Sequence, residues 1–323
     1  MSTYNDAVHL AESVDSVLSQ VFTDFEFVIV NDGSPDLRTA EILAEYARRD
    51  PRIRVITKQN AGLTKALIDG CAAAKGQYIA RLDVGDVMTP DRLRRQVEVL
   101  EQHPEVVFVS CWTEFCGPEW EPLWTEEGPV ATSPSSVWLG NVLPDTPGEN
   151  LKAGPTCHPS VMMRAEAYHR AGGYRWQFYY GQDWDLWYRL AEQGWFALVP
   201  AALYRVRMLP QGVSSHNHER QMQIGQCSFA AFGCRRQGIP EDAVLARAAA
   251  IRPGRLNRRA GRSRRGAGDY FVGEILRRNG DRRCRQYLWR AVRADPLAVG
   301  RLFRLLQSLL LPRARVAAGG GAP

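Results

Sequence analysis

The feature that most constrains the fold is an alternation of helical and extended segments over the first 110 residues. Apolar residues recur at helical spacing over 8–18, and the apolar, β-favouring run 25–30 ends at a polar turn cluster over 31–34. The same unit repeats, with helices predicted over 37–49, 63–74 and 90–102 and strands over 53–56, 78–82 and 106–110. Thr89 is the expected N-cap of the last helix, with Pro90 as its first residue. This alternation predicts a parallel sheet with helices on both faces.

Acidic residues come directly after two of the predicted strands. Asp32 follows one, and Asp83 and Asp86 follow another. In open α/β sheets, ligands bind beyond the carboxyl ends of the strands. Asp32 can accept a hydrogen bond from the imide N–H of a uracil or thymine ring, while Asp83 and Asp86 can hold ribose hydroxyls and a hard divalent cation. Asp183 opens a second acidic cluster, far along the chain, where a carboxylate can act as a general base.

The rest of the chain is less regular. Residues 112–155 are rich in Trp, Pro, Gly and Glu without periodicity, and we interpret them as a variable loop region that could shape a substrate pocket. A helical pattern surrounds 183–191, a strand is predicted near 197–199, and the chain is helical and Arg-rich after about residue 215. No Gly-rich turn opens a helix in the front domain, which disfavours a nucleotide-binding dehydrogenase.

Charge is distributed very unevenly. Residues 1–245 contain 22 Lys and Arg against 31 Asp and Glu, whereas residues 246–323 contain 19 Arg against 4 acids. The basic tail suits anionic lipid headgroups, phosphates or another acidic surface, and solvated helix faces or a helical cap would account for it equally well. A nucleic-acid partner is disfavoured because the tail lacks interleaved aromatic residues.

The cysteine content points to a reducing compartment. The seven cysteines are an odd number without a CxxC pair, so neither a disulfide framework nor a zinc site is predicted. The longest apolar segment of the tail, 305–311, is much shorter than the roughly 20 residues of a membrane span. We therefore expect a cytoplasmic protein, with peripheral attachment to the inner face of the plasma membrane as an open alternative.

A series of motifs, in order over about two thirds of the chain, resembles the family 2 glycosyltransferases with the GT-A fold. That fold is an α/β fold with a Rossmann-like, mostly parallel sheet flanked by helices. The motifs are Ser2-Thr3-Tyr4-Asn5, Ser16-Val17-Leu18-Ser19-Gln20, Val30-Asn31-Asp32-Gly33-Ser34, Asn60-Ala61-Gly62-Leu63, Tyr78-Ile79-Ala80-Arg81-Leu82-Asp83, Pro90-Asp91-Arg92-Leu93, His158-Pro159-Ser160-Val161-Met162, Gly172-Gly173-Tyr174 and Gln182-Asp183-Trp184-Asp185-Leu186-Trp187. Residues 205–214 continue the resemblance.

The resemblance implies a nucleotide-sugar donor and a saccharide or lipid-linked acceptor. Asp32 would recognise the base of the nucleotide, with Tyr4 and Asn5 nearby, and Asp83 would lie in the metal and ribose motif. Asp183 matches the catalytic base proposed for the family, and His158 would lie on the acceptor side of the cleft. The family implies direct displacement with inversion of the anomeric carbon, a UDP- or dTDP-sugar, and Mg²⁺ or Mn²⁺. The biological role that the resemblance implies is the synthesis of a cell-surface polysaccharide or glycolipid.

The chain departs from the family pattern in three ways. Gly85 replaces the second acid of Asp-x-Asp, so either Asp86 would supply the main metal ligand, or the cation would be bound weakly, or it would not be used. Gln182 replaces the Glu that often precedes the base. The apolar strand before the Tyr-Asn turn is not in this sequence. An inactive relative that retains the fold and binds a nucleotide-sugar or a partner is therefore the alternative function.

The domain organisation follows from the resemblance and the charge pattern. We expect a catalytic domain over residues 1–220, with its first strand missing at the N-terminus. A basic helical extension is expected over 221–316 and a disordered tail over 317–323.

Overall fold

A computed structural model describes residues 1–129, 136–145, 151–209, 213–252, 266–278 and 280–310. The strands in these ranges are β1 Ser2–Thr3, β2 Phe27–Asn31, β3 Ile53–Thr57, β4 Tyr78–Ala80, β5 Val87–Met88, β6 Val106–Cys116, β7 Pro122–Glu126, β8 Trp138–Gly140, β9 Met162–Arg164 and β10 Trp195–Arg207. The α-helices are α1 Ala7–Leu18, α2 Leu37–Arg49, α3 Leu63–Ala73, α4 Arg92–Gln102, α5 Ala165–Arg170, α6 Gln182–Ala191, α7 Val213–Gln237, α8 Asp242–Ala250, α9 Ala267–Arg278, α10 Cys284–Ala294 and α11 Val299–Leu309.

The chain divides into two compact units. Unit 1 comprises Met1–Cys116, Trp124–Arg207 and Glu219–Arg252, and unit 2 comprises Gly117–Leu123, Met208–His218 and Pro253–Pro323. The predicted tail 317–323 lies outside the described residues. Within those residues, no helix is both long and apolar enough to cross a membrane.

Unit 1 is built on β-sheet with helices on both faces, as the alternation predicts. Strands β1, β2 and β3 form a parallel sheet, and a second sheet has the order β4-β9-β6-β10-β5. In the second sheet β6 and β10 are parallel, while β9, β5 and β8 pair antiparallel with their neighbours. Ser2 bridges in parallel to Asp83, directly after the β4 segment, and so links the two sheets.

Strand β10 contributes side chains to two separate apolar clusters. Phe196 and Leu198 contribute to the cluster that contains α3, α5 and α6, whereas Ala197 and Val199 contribute to the cluster that contains α1, α2 and α4. Because successive side chains of a strand point to opposite faces, the two clusters lie on opposite sides of the sheet. Burial of both faces explains why these strands are apolar runs rather than alternating patterns.

Two sequence predictions need correction. Residues 112–155 are not wholly irregular, because β6 continues to Cys116 alongside β10, and β7 and β8 follow. Thr89 is not the N-cap of α4, since this helix begins at Arg92 with Asp91 at the cap position. The Thr89 N–H instead donates to the Leu203 carbonyl, 3.0 Å away, which ties this residue to β10.

A solvent-accessible pocket lies beside β1. The first strand, which was predicted to be missing, is represented by Ser2 and Thr3, which pair with Val30 and Asn31 at the end of β2. A cavity of about 630 Å³ lies next to them, between β2 and β4. Its walls are mainly apolar and include Val17, Phe27, Leu67, Ile79, Leu93 and Val97.

In unit 2, helices α9 and α10 pack around a small apolar core. Its buried members are Val272, Leu276, Cys284, Tyr287 and Leu288. Leu305 of α11 packs against this cluster and is partly buried. The helical character predicted for the tail is therefore found.

Candidate active site

Asp32 follows β2 and is held by the loop before α3. Its two carboxylate oxygens accept hydrogen bonds from the N–H groups of Ala61, at 3.0 Å, and Gly62, at 2.8 Å. The Asp32 N–H donates to the Thr3 carbonyl, which fixes Asp32 beside β1. Gly33 has φ +73°, and a Cβ there would lie 2.6 Å from the Asn60 nitrogen, so this tight turn needs glycine.

Tyr4 and Asn5 lie at the same edge of the sheet, directly after β1. The Tyr4 side chain is exposed, while Asn5 adopts a left-handed conformation with φ 56°. The Asn5 N–H donates to the Ser34 hydroxyl, 2.9 Å away, in the turn that follows Asp32. The residue predicted to recognise the base and the two residues predicted to lie near the nucleotide are therefore at the same edge of the sheet.

Asp83 follows β4, and its side chain is accessible to solvent. Its side chain is 36% exposed, and one carboxylate oxygen accepts a hydrogen bond from the buried Arg81 guanidinium at 2.5 Å. The other end of the guanidinium lies 2.9 Å from His158 Nδ1, and His158 Nε2 lies 2.7 Å from the Tyr174 hydroxyl. Both ring nitrogens of His158 are therefore engaged by protein groups.

Asp86 occupies a different environment from Asp83. It is 7% exposed, and its carboxylate accepts hydrogen bonds from the Tyr204 hydroxyl, at 3.0 Å, and the Arg207 N–H, at 3.1 Å. Burial, reinforced by the nearby Asp83 charge, raises the pKa of Asp86 well above its usual range. Gly85 has φ 96°, where an aspartate would be strained.

Asp183 lies in the first turn of α6. Gly181 precedes the helix in a left-handed conformation, and the Asp183 and Trp184 N–H groups stabilise the Asp183 carboxylate. Burial outweighs these hydrogen bonds and raises the pKa of Asp183 to about 6. A carboxylate with this pKa is mostly ionised at neutral pH and is basic enough to accept a proton from a reacting hydroxyl.

The segment before Asp183 is tied to the loop that holds Asp32. The buried Thr64 hydroxyl, at the start of α3, donates to the Phe178 carbonyl at 2.8 Å. The Tyr179 ring lies so close to Gly62 that a Cβ there would be 2.8 Å from it. The loop that contacts Asp32 and the segment that leads to Asp183 are thus neighbours in space.

The described residues suit a cation that arrives with a diphosphate better than one held by the protein alone. Among them, no group of three His, Cys, Asp or Glu side chains could hold a metal ion. Asp83 offers one accessible carboxylate, whereas both Asp86 oxygens already accept hydrogen bonds. Mg²⁺ commonly binds through one or two carboxylates, with phosphate oxygens and waters as the other ligands.

Sequence reasoning missed the roles of Arg81 and Tyr204. Arg81 precedes Asp83 by only two residues, and a guanidinium is a common partner of a carboxylate, so this pairing could have been anticipated. Tyr204 donates to Asp86 and accepts from the Asp83 N–H at 3.2 Å. No local pattern connects residues 120 positions apart, and only the pairing of β10 with β5 reveals this contact.

Solved structures share this architecture at low sequence identity. The chain superposes on Staphylococcus aureus TarS in complex with UDP with a TM-score of 0.52 and 14% identity, covering 95% of this chain and 87% of that one. It superposes on GalNAc-T7 with UDP, GalNAc and Mn²⁺ with a TM-score of 0.54 and 13% identity, covering 74% and 50%. This likeness shows that the chain has the GT-A fold.

Sequence comparison gives the family. The model of glycosyl transferase family 2 matches residues 1–170, and the chain belongs to this family. The putative glycosyltransferase EpsE of Bacillus subtilis is 35% identical over 214 residues, 64% of this chain and 71% of that protein. Chondroitin synthase of Pasteurella multocida is 30% identical over 218 residues, 68% of this chain and 21% of the synthase.

Proposed function

We propose that this glycosyltransferase moves a sugar from a UDP- or dTDP-sugar to an acceptor hydroxyl, with inversion at the anomeric carbon. The observation that carries the proposal is the half-buried Asp183, whose pKa of about 6 suits a general base. Direct displacement needs such a base on the acceptor side. It needs no protein nucleophile.

The donor side of the proposed site consists of Asp32, Asp83, Tyr4 and Asn5. Asp32 is oriented by two backbone N–H groups and would use its remaining lone pairs to accept from the imide of the base. Tyr4 and Asn5 would flank the nucleoside. Asp83 would contact the ribose and, together with diphosphate oxygens, hold Mg²⁺ or Mn²⁺. Such a cation would neutralise charge that develops on the departing diphosphate.

In the proposed reaction, the acceptor hydroxyl loses its proton to Asp183 as its oxygen attacks the anomeric carbon. The bond between that carbon and the diphosphate oxygen breaks, and its electron pair leaves with the nucleoside diphosphate. We assign a positioning role to His158, which was predicted to lie on the acceptor side of the cleft, because both of its ring nitrogens already face protein groups.

The proposed setting is the synthesis of a cell-surface polysaccharide or glycolipid, on a saccharide or lipid-linked acceptor. Relatives of this chain include chondroitin and hyaluronan synthases of Pasteurella multocida, which favours a polysaccharide product. All seven cysteines are unpaired, which favours the reducing cytoplasm. We place the enzyme at the inner face of the plasma membrane as a peripheral protein.

Calorimetric titration with UDP and with dTDP, each with and without Mn²⁺, tests the donor site. We expect binding that Asp32→Ala abolishes and that the exposed-site control Asp91→Ala leaves unchanged. Release of free nucleotide from a UDP- or dTDP-sugar then tests turnover, and NMR of the product anomer tests inversion. Lack of nucleotide binding by the folded wild-type chain would refute the proposed donor.

A further inference from the structure

Helix α11 of unit 2 exposes its apolar side. Six of its side chains, counting the residue directly after the helix, are between 42% and 85% exposed: Val299, Leu302, Phe303, Leu306, Leu309 and Leu310. At 100° per residue, these positions fall within an arc of about 120° on one side of the helix. A surface helix of a globular protein normally turns such a face toward a core.

Polar contacts hold the opposite side of α11 within unit 2. Arg301 is 8% exposed, donates to the Ala291 carbonyl at 3.3 Å and lies 3.9 Å from the Asp295 carboxylate. Ser308 is fully buried, and its carbonyl accepts from the Arg285 guanidinium at 3.0 Å. The helix is therefore fixed by its polar residues, which leaves the apolar face as an outward surface.

The charge of unit 2 indicates what covers this face. Its described residues over 266–278 and 280–310 carry nine Arg and four acids, and the exposed arginines among them include Arg278, Arg290 and Arg293. A second copy of the same surface would bring two basic regions together, which repulsion opposes. An anionic lipid bilayer offers both an apolar interior and negative headgroups.

We propose that α11 is a membrane-docking helix, which binds anionic bilayers with its exposed apolar face in the acyl boundary. Exposed arginines of unit 2, among them Arg278, Arg290 and Arg293, contact the lipid headgroups. This inference rests on the proposed function, because it names the surface that holds the enzyme at the membrane where a lipid-linked acceptor would lie. It concerns unit 2 and requires no residue of the active site.

Vesicle flotation of the full chain tests the docking surface. We expect wild type to float with vesicles of 70% phosphatidylcholine and 30% phosphatidylglycerol, and at least tenfold less with pure phosphatidylcholine or in 1 M salt. Leu306→Glu and Phe303→Glu should each lower flotation at least tenfold. The control is Val21→Glu, because Val21 of unit 1 is 54% exposed, as is Leu306. Circular dichroism melts confirm that each variant is folded.

The outcomes separate docking from catalysis. Equal flotation of wild type and Leu306→Glu, or equal binding to neutral vesicles, would overturn the docking proposal. So would a concentration-dependent dimer that Leu306→Glu dissociates, since the face would then be an interface between copies. Nucleotide release from the donor is measured in parallel without vesicles. Turnover that is retained without flotation would refute only the docking proposal. Loss of turnover with normal flotation would refute only the proposed reaction.

Discussion

Nδ1 of His158 lies 2.9 Å from Nη1 of Arg81. A guanidinium has donors only, so the imidazole nitrogen must be the acceptor and His158 must be neutral, with its proton on Nε2. That proton is donated to the Tyr174 hydroxyl at 2.7 Å. Burial and the neighbouring Arg81 charge lower the pKa of His158 well below its usual range, which agrees with this tautomer. His158 thus positions the Arg81 guanidinium, which in turn donates a hydrogen bond to Asp83.

Replacing His158 should weaken donor binding more than turnover. His158→Phe removes the acceptor for Arg81 and frees the guanidinium to change its contact with Asp83. We expect the donor KM to rise about tenfold, because the site loses roughly one charge-assisted hydrogen bond. The change in kcat should be smaller. His158→Asn retains an acceptor near Nδ1 and should recover most of the loss. Steady-state kinetics of both variants measure this, and equal defects in the two would argue against positioning through Arg81.

Asp183 should control the acid side of the pH profile. Because burial raises its pKa to about 6, log kcat/KM should fall with unit slope as the pH drops below 6. Asp183→Asn should lower kcat by about a hundredfold or more and abolish this limb. The profile is measured between pH 5 and 9 with saturating acceptor. An unchanged acid limb in the variant would assign the base to another group.

The same substitution should stabilise the folded chain. A raised carboxyl pKa means that the folded state favours the neutral form, so the cost of ionisation grows from the unfolded pKa of 3.8 up to about pH 6 and is constant above it. Asp183→Asn should therefore raise the free energy of unfolding by up to about 3 kcal/mol at pH 8, with the gain vanishing near pH 4. Denaturant titrations at the two pH values measure it. A gain independent of pH would contradict this account.

Asp83 and Asp86 should differ in their effect on cation use. Asp83→Asn removes the accessible carboxylate and should raise the Mn²⁺ concentration for half-maximal activity about tenfold or more. Asp86→Asn alters a buried carboxyl that Tyr204 and Arg207 already engage, so it should leave the Mn²⁺ dependence unchanged. Mn²⁺ titrations of the activity of both variants test this difference, and thermal melts show whether each variant is folded. A large Mn²⁺ effect in Asp86→Asn would restore Asp86 as a ligand.

Asp185 should matter for stability rather than chemistry. It is 1% exposed, and the guanidinium of Arg189, which is equally buried, donates to it at 3.1 and 2.5 Å. Removing the carboxylate leaves a buried cation, so Asp185→Asn should cost about 3 to 5 kcal/mol. The control Asp91→Asn breaks an exposed pair with Arg94 and should cost less than about 1 kcal/mol. Denaturant unfolding compares the two, and equal costs would exclude a buried ion pair.

Local patterns predicted the frame of the catalytic unit well. Helix α2 was predicted with its observed ends, because its apolar spacing and its termini are encoded within one short segment. The strands β6 and β10 were predicted too short. Their extra residues pair with each other across about 90 positions, and aromatic and polar residues there mimic a loop composition.

The sequence predicted the acidic residues of the site but not the residues that surround them. Strand ends marked Asp32 and Asp83, and family motifs added Asp183. The difference between Asp83 and Asp86 depends on Tyr204, which arrives from a distant strand. The outward direction of the α11 apolar face was equally hidden, since helical periodicity defines a face without saying which way it points.

Strand β10 makes the two apolar clusters of the catalytic unit depend on each other. Phe196 packs into one cluster and Ala197 into the other, so side chains of both share one backbone segment. A shift of β10 that relieves crowding on one face of the sheet therefore displaces side chains on the other face. The helix layers on the two faces should accordingly open together, as one cooperative unit, in native-state hydrogen exchange.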